Sequence, residues 1–586
     1  MKVTSQVWIY FILIFGVCFK ENSAKWVWNC TEPDYACERT FTIEQTSTLY
    51  SSVELCRLVC GSDGIIWPLP YSYSVIDKSL VTVNISTAWF NTKASDEPTY
   101  TFLEDLITYF TNTSSYIDFC TKQTYTVQIN LEAKSSSLVL NWDTDESYEL
   151  VTYTDDQTNQ VTINITAETV FGVRHGLESL LQLIVPDDLC YVMLKSVQIK
   201  DKPFYKHRGL LLDSGRNYLS VDIIKKNIIA MASSKMNVLH WHLSDSQSFP
   251  FVSSREPNMS RYGAYSDREV YNPTDVADLI KFAKIRGVRI IPEIDGPAHV
   301  GSGWQWSAES GLGNLVVCQN QQPYRSYCIQ PPCGQLNPAN PWIYEVLRNI
   351  YNDITDLWEG IDAFHMGGDE VYIPCWNSSE EILQYIGTKN RSEEVFLNLW
   401  AEFQSKATQA FDTAKGNNGT SLIVWTSSLT DPAIIENNLP KDRYVIQTWV
   451  PSTNTVPQEL IDLGYKIIVS TKDKWYLDHG FWGSTSYYTW RQVYDNQILS
   501  GDAVLGGEIC MWGELVNDNN VEPRVWPRAA AAAERLWSNP QTSSETADGR
   551  FFIHYDRLNK RGIRTSAVIP KFCAQNVNDC AGYLTF

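Results

Sequence analysis

The stretch DAFHMGGDE, residues 362–370, ends in two adjacent acids, Asp369 and Glu370, placed after a short apolar run and two glycines. Cleaving a glycosidic bond needs an acid to protonate the leaving oxygen, and a group on the opposite face of the sugar to stabilise the oxocarbenium-like carbon. Neighbouring residues on a strand point in divergent directions. Asp369 and Glu370 are therefore suited to two atoms of one substrate rather than to the two faces of one anomeric carbon. Glu370 would donate the proton, and Asp369 would hold a 2-acetamido group whose carbonyl oxygen attacks the anomeric carbon. The negative charge next door would raise the pKa of the acid that must carry a proton. The bland alternative, two solvated acids after a turn, fits poorly with a buried strand and a double glycine.

Eight short apolar strands, with helical runs such as DIIKKNIIAMASSK and PTDVADLIKFAKIRG between them, predict a (β/α)8 barrel of α/β class. The strands end at Arg216, Asp245, Asp295, Glu370, near Trp425, near Trp449, at Asp478 and at Glu514. An open doubly wound sheet would need a phosphate-binding glycine turn after the first strand, and LLLDSGRNYL has none. Active sites of such barrels lie at the C-terminal strand ends, where this chain concentrates Arg, Asp, Glu, His, Trp and Tyr. Singly, a tryptophan there could be barrel packing and Arg216 a structural ion-pair partner. Upstream, from Lys25 to about Lys200, runs such as SLVLNWDTDESYELVTY and QVTINITA and one amphipathic helix, ETVFGVRHGLESLLQLI, predict a smaller α+β domain.

Lys and Arg number 47 against 67 Asp and Glu, a net charge of −20, which disfavours nucleic acid and anionic membranes as partners. The 21 tryptophans suit sugar faces as well as a large core. Residues 1–24, with an apolar run from Val7 to Phe19, predict a cleaved secretory signal, and no later segment is apolar enough to span a bilayer. Eight sequons agree with export: Asn29, Asn84, Asn112, Asn164, Asn258, Asn377, Asn390 and Asn418. Of 14 cysteines, Cys18 falls in the signal, leaving an odd number. Cys328 with Cys333 and Cys573 with Cys580 are natural short-loop pairs, and Cys510, in GGEICMWGE, is the candidate free thiol. No Cys-x-x-Cys pair points to a metal.

HMGGDE, together with HWHLSDSQSFP, IPEIDGPAH, WYLD and MWGE, resembles the β-N-acetylhexosaminidases of glycoside hydrolase family 20, and more narrowly their insect secreted members. GVRHGLESLLQL extends the resemblance into that family's accessory domain. The resemblance implies residues 25–200 as a zincin-like accessory domain, residues 201–586 as the catalytic barrel with a C-terminal tail, and a Cys318–Cys375 bridge. It implies exo-acting, retaining, substrate-assisted hydrolysis without metal or cofactor. Glu370 would be acid and then base, and Asp369 would orient the acetamide. Tyr476 would bond the acetamide oxygen, and Trp425, Trp449 and Trp512 would wall its methyl. Arg216, Asp478 and Glu514 would bind sugar hydroxyls, and His299 and Asp245 would support Glu370. The substrate would be an oligosaccharide or glycoconjugate, in a secreted or lysosomal setting, with a homodimer among the open assembly states.

Two departures bear on substrate. Gln330, in CIQPPC, stands where chitin-specialised insect members carry an acid, and the segment DHGFWGSTSYYTW is short and lacks Cys. Chitin oligosaccharides and N-glycans both stay open as substrates, and Trp482 or Trp490 could stack a second sugar. Two other classes compete. A metal-dependent amidohydrolase would use His240-x-His242 with His299, His365 or Asp369, and His365 is expected four residues before the strand end. An inactive sugar-binding protein would have lost its acid, which this chain keeps.

Overall fold

Eight parallel strands close into a barrel in chain order. They are β1 (His207–Asp213), β2 (Val238–His242), β3 (Arg289–Glu293), β4 (Ala363–His365), β5 (Ser421–Trp425), β6 (Tyr444–Thr448), β7 (Lys466–Val469) and β8 (Val504–Met511). The ring shuts where Leu211 of β1 faces Cys510 of β8. Parallel strands covered by crossover helices are apolar almost throughout, and every residue of β1, β2 and β8 is buried. The computed structural model describes residues 25–31, 36–42, 49–61, 64–114, 120–122, 124–387, 389–576 and 580. The expected signal, with Cys18, lies outside them.

The helices begin where capping chemistry starts them. Ser220 accepts from the Ile223 amide to open Val221–Ser233, and an Asn272–Asp275 capping box with Pro273 at the first turn opens Pro273–Ile285. The strands are shorter than the apolar runs suggest. Regular pairing stops at Asp213, His242, Glu293, His365, Val469 and Met511. The functional candidates therefore ride on the loops just beyond, and Asp369 and Glu370 are loop residues rather than strand residues. His365 is the last residue of β4 and fully buried, not a position four residues inside it.

Before the barrel, a seven-stranded sheet includes Thr126–Ala133, Tyr148–Asp155, Gln160–Ala167 and Cys190–Asp201. SLVLNWDTDES is irregular and only its continuation pairs, because Asn141 and Thr144 lock a turn there. Two helices not anticipated, Val53–Cys60 and Glu97–Thr113, complete this region. Helix Val170–Leu183 is not a surface amphipathic helix, since all of its residues are buried. Its apolar face meets the sheet, and its polar face meets the barrel. There His175 Nε2 lies 2.9 Å from Glu146, whose carboxylate also accepts from Arg208 of β1 at 2.6 Å and from Asn237 at 3.0 Å.

Disulfides join Cys30–Cys60, Cys37–Cys56, Cys120–Cys190, Cys318–Cys375, Cys328–Cys333 and Cys573–Cys580. Cys510 is free and buried. None of the eight sequon asparagines is buried. Among the described residues, no helix is long and apolar enough to cross a membrane.

Candidate active site

The loop after β4 turns on left-handed backbone: φ is 68° at Gly367, 89° at Gly368 and 52° at Glu370. A Cβ on Gly367 would fall 1.6 Å from Asp295 Oδ1, so only glycine admits this approach. The Gly368 amide donates to that same oxygen at 3.1 Å, and the Trp425 amide donates to the Gly367 carbonyl at 2.9 Å. The double glycine thus pins the two acids between the ends of β3 and β5. The positive φ of Glu370, rather than strand alternation, sets where its carboxyl points.

One imidazole reaches both acids. His299 Nε2 lies 3.4 Å from Glu370 Oε2 and 3.7 Å from Asp369 Oδ2, while His299 Nδ1 faces Asp245 Oδ1 at 3.4 Å. Burial disfavours charge on His299, but Asp245 and Asp369 outweigh it and hold its proton well above the ordinary histidine range. The consequence corrects the sequence expectation for Glu370. Burial pushes its carboxyl up, yet the His299 hydrogen bond and charge, with Arg216 and Lys472, hold it below the usual glutamate value. Burial, with Glu370 and Glu293 nearby, instead pushes Asp369 up to about 6. Asp295, buried beside Asp369, is pushed well above the carboxylate range. The like-charge repulsion read from the sequence is real, but it falls on the partner that lacks the closer cation.

Arg216, from the loop after β1, is buried against Asp213 at 3.2 Å and Asp245 at 2.9 Å. Its Nη2 also donates to Gln330 Oε1 at 2.9 Å, and Gln330 Nε2 donates to Glu514 Oε1 at 2.8 Å. The Cys328–Cys333 loop therefore brings a neutral amide between two of the expected hydroxyl binders. Burial and the neighbouring Glu514 push Asp478 up to about 7, and its Oδ2 accepts from Trp482 Nε1 at 3.0 Å. Trp425, Tyr476, Leu211 and Cys510 form one buried apolar cluster with Trp449 and Trp512 against it. The Trp425 and Trp512 rings stand 5.7 Å apart at 49°. Tyr476 bridges to Cys510 beyond the end of β7. Asp369 Oδ1, Asp478 Oδ1 and Glu514 Oε2 are buried without a hydrogen-bond partner among the described residues.

Trp482 is 42% exposed, but Trp490 is core, stacked on Phe551 at 3.9 Å and 13°. Trp490 therefore offers no sugar platform. The donor set also disfavours the metal reading. Both nitrogens of His240 face carboxylates, Glu508 at 2.7 Å and Glu293 at 3.0 Å, as do both nitrogens of His242, Glu293 at 2.5 Å and Asp245 at 3.0 Å. An imidazole protonated on both nitrogens has no lone pair for a metal. Glu293 and Glu508, which organise these histidines, were missed from the sequence. The available signal was an acid inside an otherwise apolar strand, RIIPE and VLGGEICM.

The catalytic-domain model of glycosyl hydrolase family 20 matches residues 205–540. The chain belongs to glycosyl hydrolase family 20. A second model, described as beta-acetyl hexosaminidase like, matches residues 66–183 of this family 20 hydrolase. It is 37% identical to the chitooligosaccharidolytic beta-N-acetylglucosaminidase of Ostrinia furnacalis, over 98% of each chain. It is 40% identical to a probable beta-hexosaminidase of Drosophila melanogaster, over 78% of this chain and 70% of that one. Its structure is similar to a chitobiase of Flavobacterium johnsoniae, with a TM-score of 0.66, 26% identity, and coverage of 85% and 73% of the two chains. It shares its fold with an exo beta-N-acetylglucosaminidase of Vibrio harveyi, with a TM-score of 0.68, 19% identity, and coverage of 92% and 84%.

Proposed function

We propose that this family 20 glycoside hydrolase removes terminal non-reducing β-linked N-acetylglucosamine, and N-acetylgalactosamine, by a retaining mechanism in which the substrate's own acetamide is the nucleophile. The observation that carries the mechanism is that the two acids are consecutive and share one imidazole. Consecutive acids are poorly placed to flank the two faces of one anomeric carbon, which assigns the face opposite Glu370 to the acetamide oxygen held by Asp369.

In this reading Asp369 accepts the acetamide N–H through its unpartnered Oδ1 and stabilises the positive charge of the cyclic intermediate. Tyr476 donates to the acetamide oxygen, and Trp425, Trp449 and Trp512 wall its methyl. Glu370 protonates the leaving oxygen and then deprotonates the incoming water. In the free site the proton it needs is held on the His299 side of a close pair. A sugar ring that excludes water from Glu370 disfavours its charged form and draws that proton across. Asp245 keeps His299 oriented. Arg216, Asp478 and Glu514 bind ring hydroxyls, closing the pocket to all but a chain end.

The substrate chains are chitin oligosaccharides and N-glycan termini. The neutral Gln330 link and the exposed Trp482 beside Asp478 favour a broad acceptor site over one dedicated to long chitin chains. The disulfides and the unburied sequons support a reading as a secretory-pathway enzyme, either exported or lysosomal, and a homodimer is the assembly state to check by light scattering. The domain division at residues 200/201 belongs to this reading too. The deciding experiment gives a thiazoline mimic of the cyclic intermediate to the full-length enzyme while it hydrolyses chitobiose, a GlcNAc-terminated N-glycan and a GalNAc β-glycoside. Competitive inhibition far tighter than by free N-acetylglucosamine supports the mechanism. Absence of inhibition points to a protein nucleophile.

A further inference from the structure

Below the acids, the barrel interior holds a continuous file of alternating carboxylates and imidazoles. It starts at the N-terminal end, where Trp142 Nε1 donates to His207 Nδ1 at 3.2 Å, which leaves His207 Nε2 to donate to Glu508 Oε2 at 2.9 Å. Glu508 Oε1 then faces His240 Nδ1 at 2.7 Å and accepts from Gln447 at 2.7 Å. His240 Nε2 meets Glu293 Oε2 at 3.0 Å, and the same oxygen meets His242 Nδ1 at 2.5 Å. From His242 the file runs through Asp245 to His299 and Glu370.

Glu293 is the branch point. Its Oε1 accepts from Trp425 Nε1 at 2.9 Å and lies 3.0 Å from His365 Nδ1. One carboxylate on β3 thus contacts β2, β4 and β5, the strands whose following loops carry Asp245, then Asp369 and Glu370, and which end in the Trp425 wall. The groups facing it are His240 and His242 from β2, His365 from β4 and Trp425 from β5. Asp295 and Asp369 above, and Cys510 from β8, feel its charge. Its side chain has no exposed surface, so a carboxylate persists there only because His240, His242 and Trp425 surround it with donors, while His365 Nδ1 also accepts from the Gly367 amide at 3.0 Å.

We infer that Glu293 is a positioning residue for the proposed reaction: from the barrel centre it holds the acetamide wall and the Asp245–His299–Glu370 acid–base line in a single register. The inference rests on the reading above and adds to it a residue that touches no substrate. Neutralising Glu293 leaves one of its donors facing an amide N–H, so Trp425 and His242 can no longer both be held. Its charge is also one of the groups that hold the Asp369 proton up to about 6.

The test uses Glu293→Gln in the full chain, after wild-type hydrolysis of an aryl N-acetyl-β-glucosaminide and inhibition by the thiazoline have established the reaction independently. The expected result is a fall in kcat of about tenfold to a hundredfold with KM within about twofold. With it, the acid limb of the pH profile moves to lower pH. Unchanged kcat, or a lower kcat with the wild-type pH profile, would overturn the inference. If the variant does not fold, wild-type enzyme labelled with 15N-histidine gives the same answer. His240 and His242 remain imidazolium at about pH 8 if Glu293 acts as a charged hub, and neutral rings at that pH would overturn it.

Discussion

At the N-terminal end of the barrel, the buried Glu146 carboxylate accepts from His175, Arg208 and Asn237. At the C-terminal end, Asp369 Oδ1, Asp478 Oδ1 and Glu514 Oε2 are buried atoms, Asp369 and Glu514 being half-buried as whole residues, and accept nothing from the described residues. A buried acceptor without a partner costs about 1–3 kcal/mol. The closed end therefore contributes to holding the accessory region on the barrel, while the open end carries a cost that a bound sugar's hydroxyls and amide would offset. In the proposed reading the same residue chemistry serves stability in one place and recognition in the other, and what separates them is whether the protein supplies the donors.

Substitutions at the two ends should accordingly behave in opposite ways. The largest effect is expected at the open end. Glu370→Gln keeps the side chain's size but removes proton transfer, and should lower kcat by about 10²–10⁴-fold on substrates with poor leaving groups, with little change in a thermal melt. Near-normal turnover would remove Glu370 from its role. At the closed end, Glu146→Ala leaves Arg208 buried beside an empty acceptor position and should cost about 3–5 kcal/mol of stability, read by denaturant titration. The fraction that stays folded should keep its kcat, and a loss of turnover with unchanged stability would erase the contrast.

A smaller and less usual effect is expected from Asp478→Asn. The Asp478 carboxyl is held at about 7 in the fold, against roughly 3.9 in an unfolded chain, so the folded state prefers it protonated. The cost of the carboxylate is absent below the unfolded value, grows as pH rises between the two, and is complete above the folded one. Asparagine removes that cost and can still accept from Trp482. At about pH 8 the variant should be more stable by about 1–3 kcal/mol, with no gain near pH 4, while its KM for the sugar rises. A variant less stable at both pH values would show that Asp478 is structural.

How much of this was legible beforehand follows from what each inference depends on. The barrel was legible because each strand is a short apolar run closed by polar residues, a pattern that survives without tertiary information. Strand ends were overestimated because the loops after β1, β2, β3 and β4 continue with residues just as buried, such as Ser214, Leu243, Ile294 and Met366. The identity of the two acids could be read from DAFHMGGDE. Which of them is pushed up could not, because that depends on a histidine 71 positions before Glu370 reaching to 3.4 Å from it. Helix Val170–Leu183 looked amphipathic because its polar stripe is a buried interface. Trp490 looked like a platform because composition cannot distinguish a rim aromatic from one stacked on Phe551.

The central claim, that the sugar brings its own nucleophile to the Asp369–Glu370 pair, is tested most directly by weakening that nucleophile in the substrate alone. Aryl β-glucosaminides carrying N-acetyl, N-fluoroacetyl, N-difluoroacetyl and N-trifluoroacetyl groups differ little in size but progressively lose basicity at the carbonyl oxygen. The account predicts that log kcat/KM falls steeply and linearly along this series. A flat series, with the fluorinated substrates turned over as fast as the parent, would place the nucleophile on the protein and contradict it.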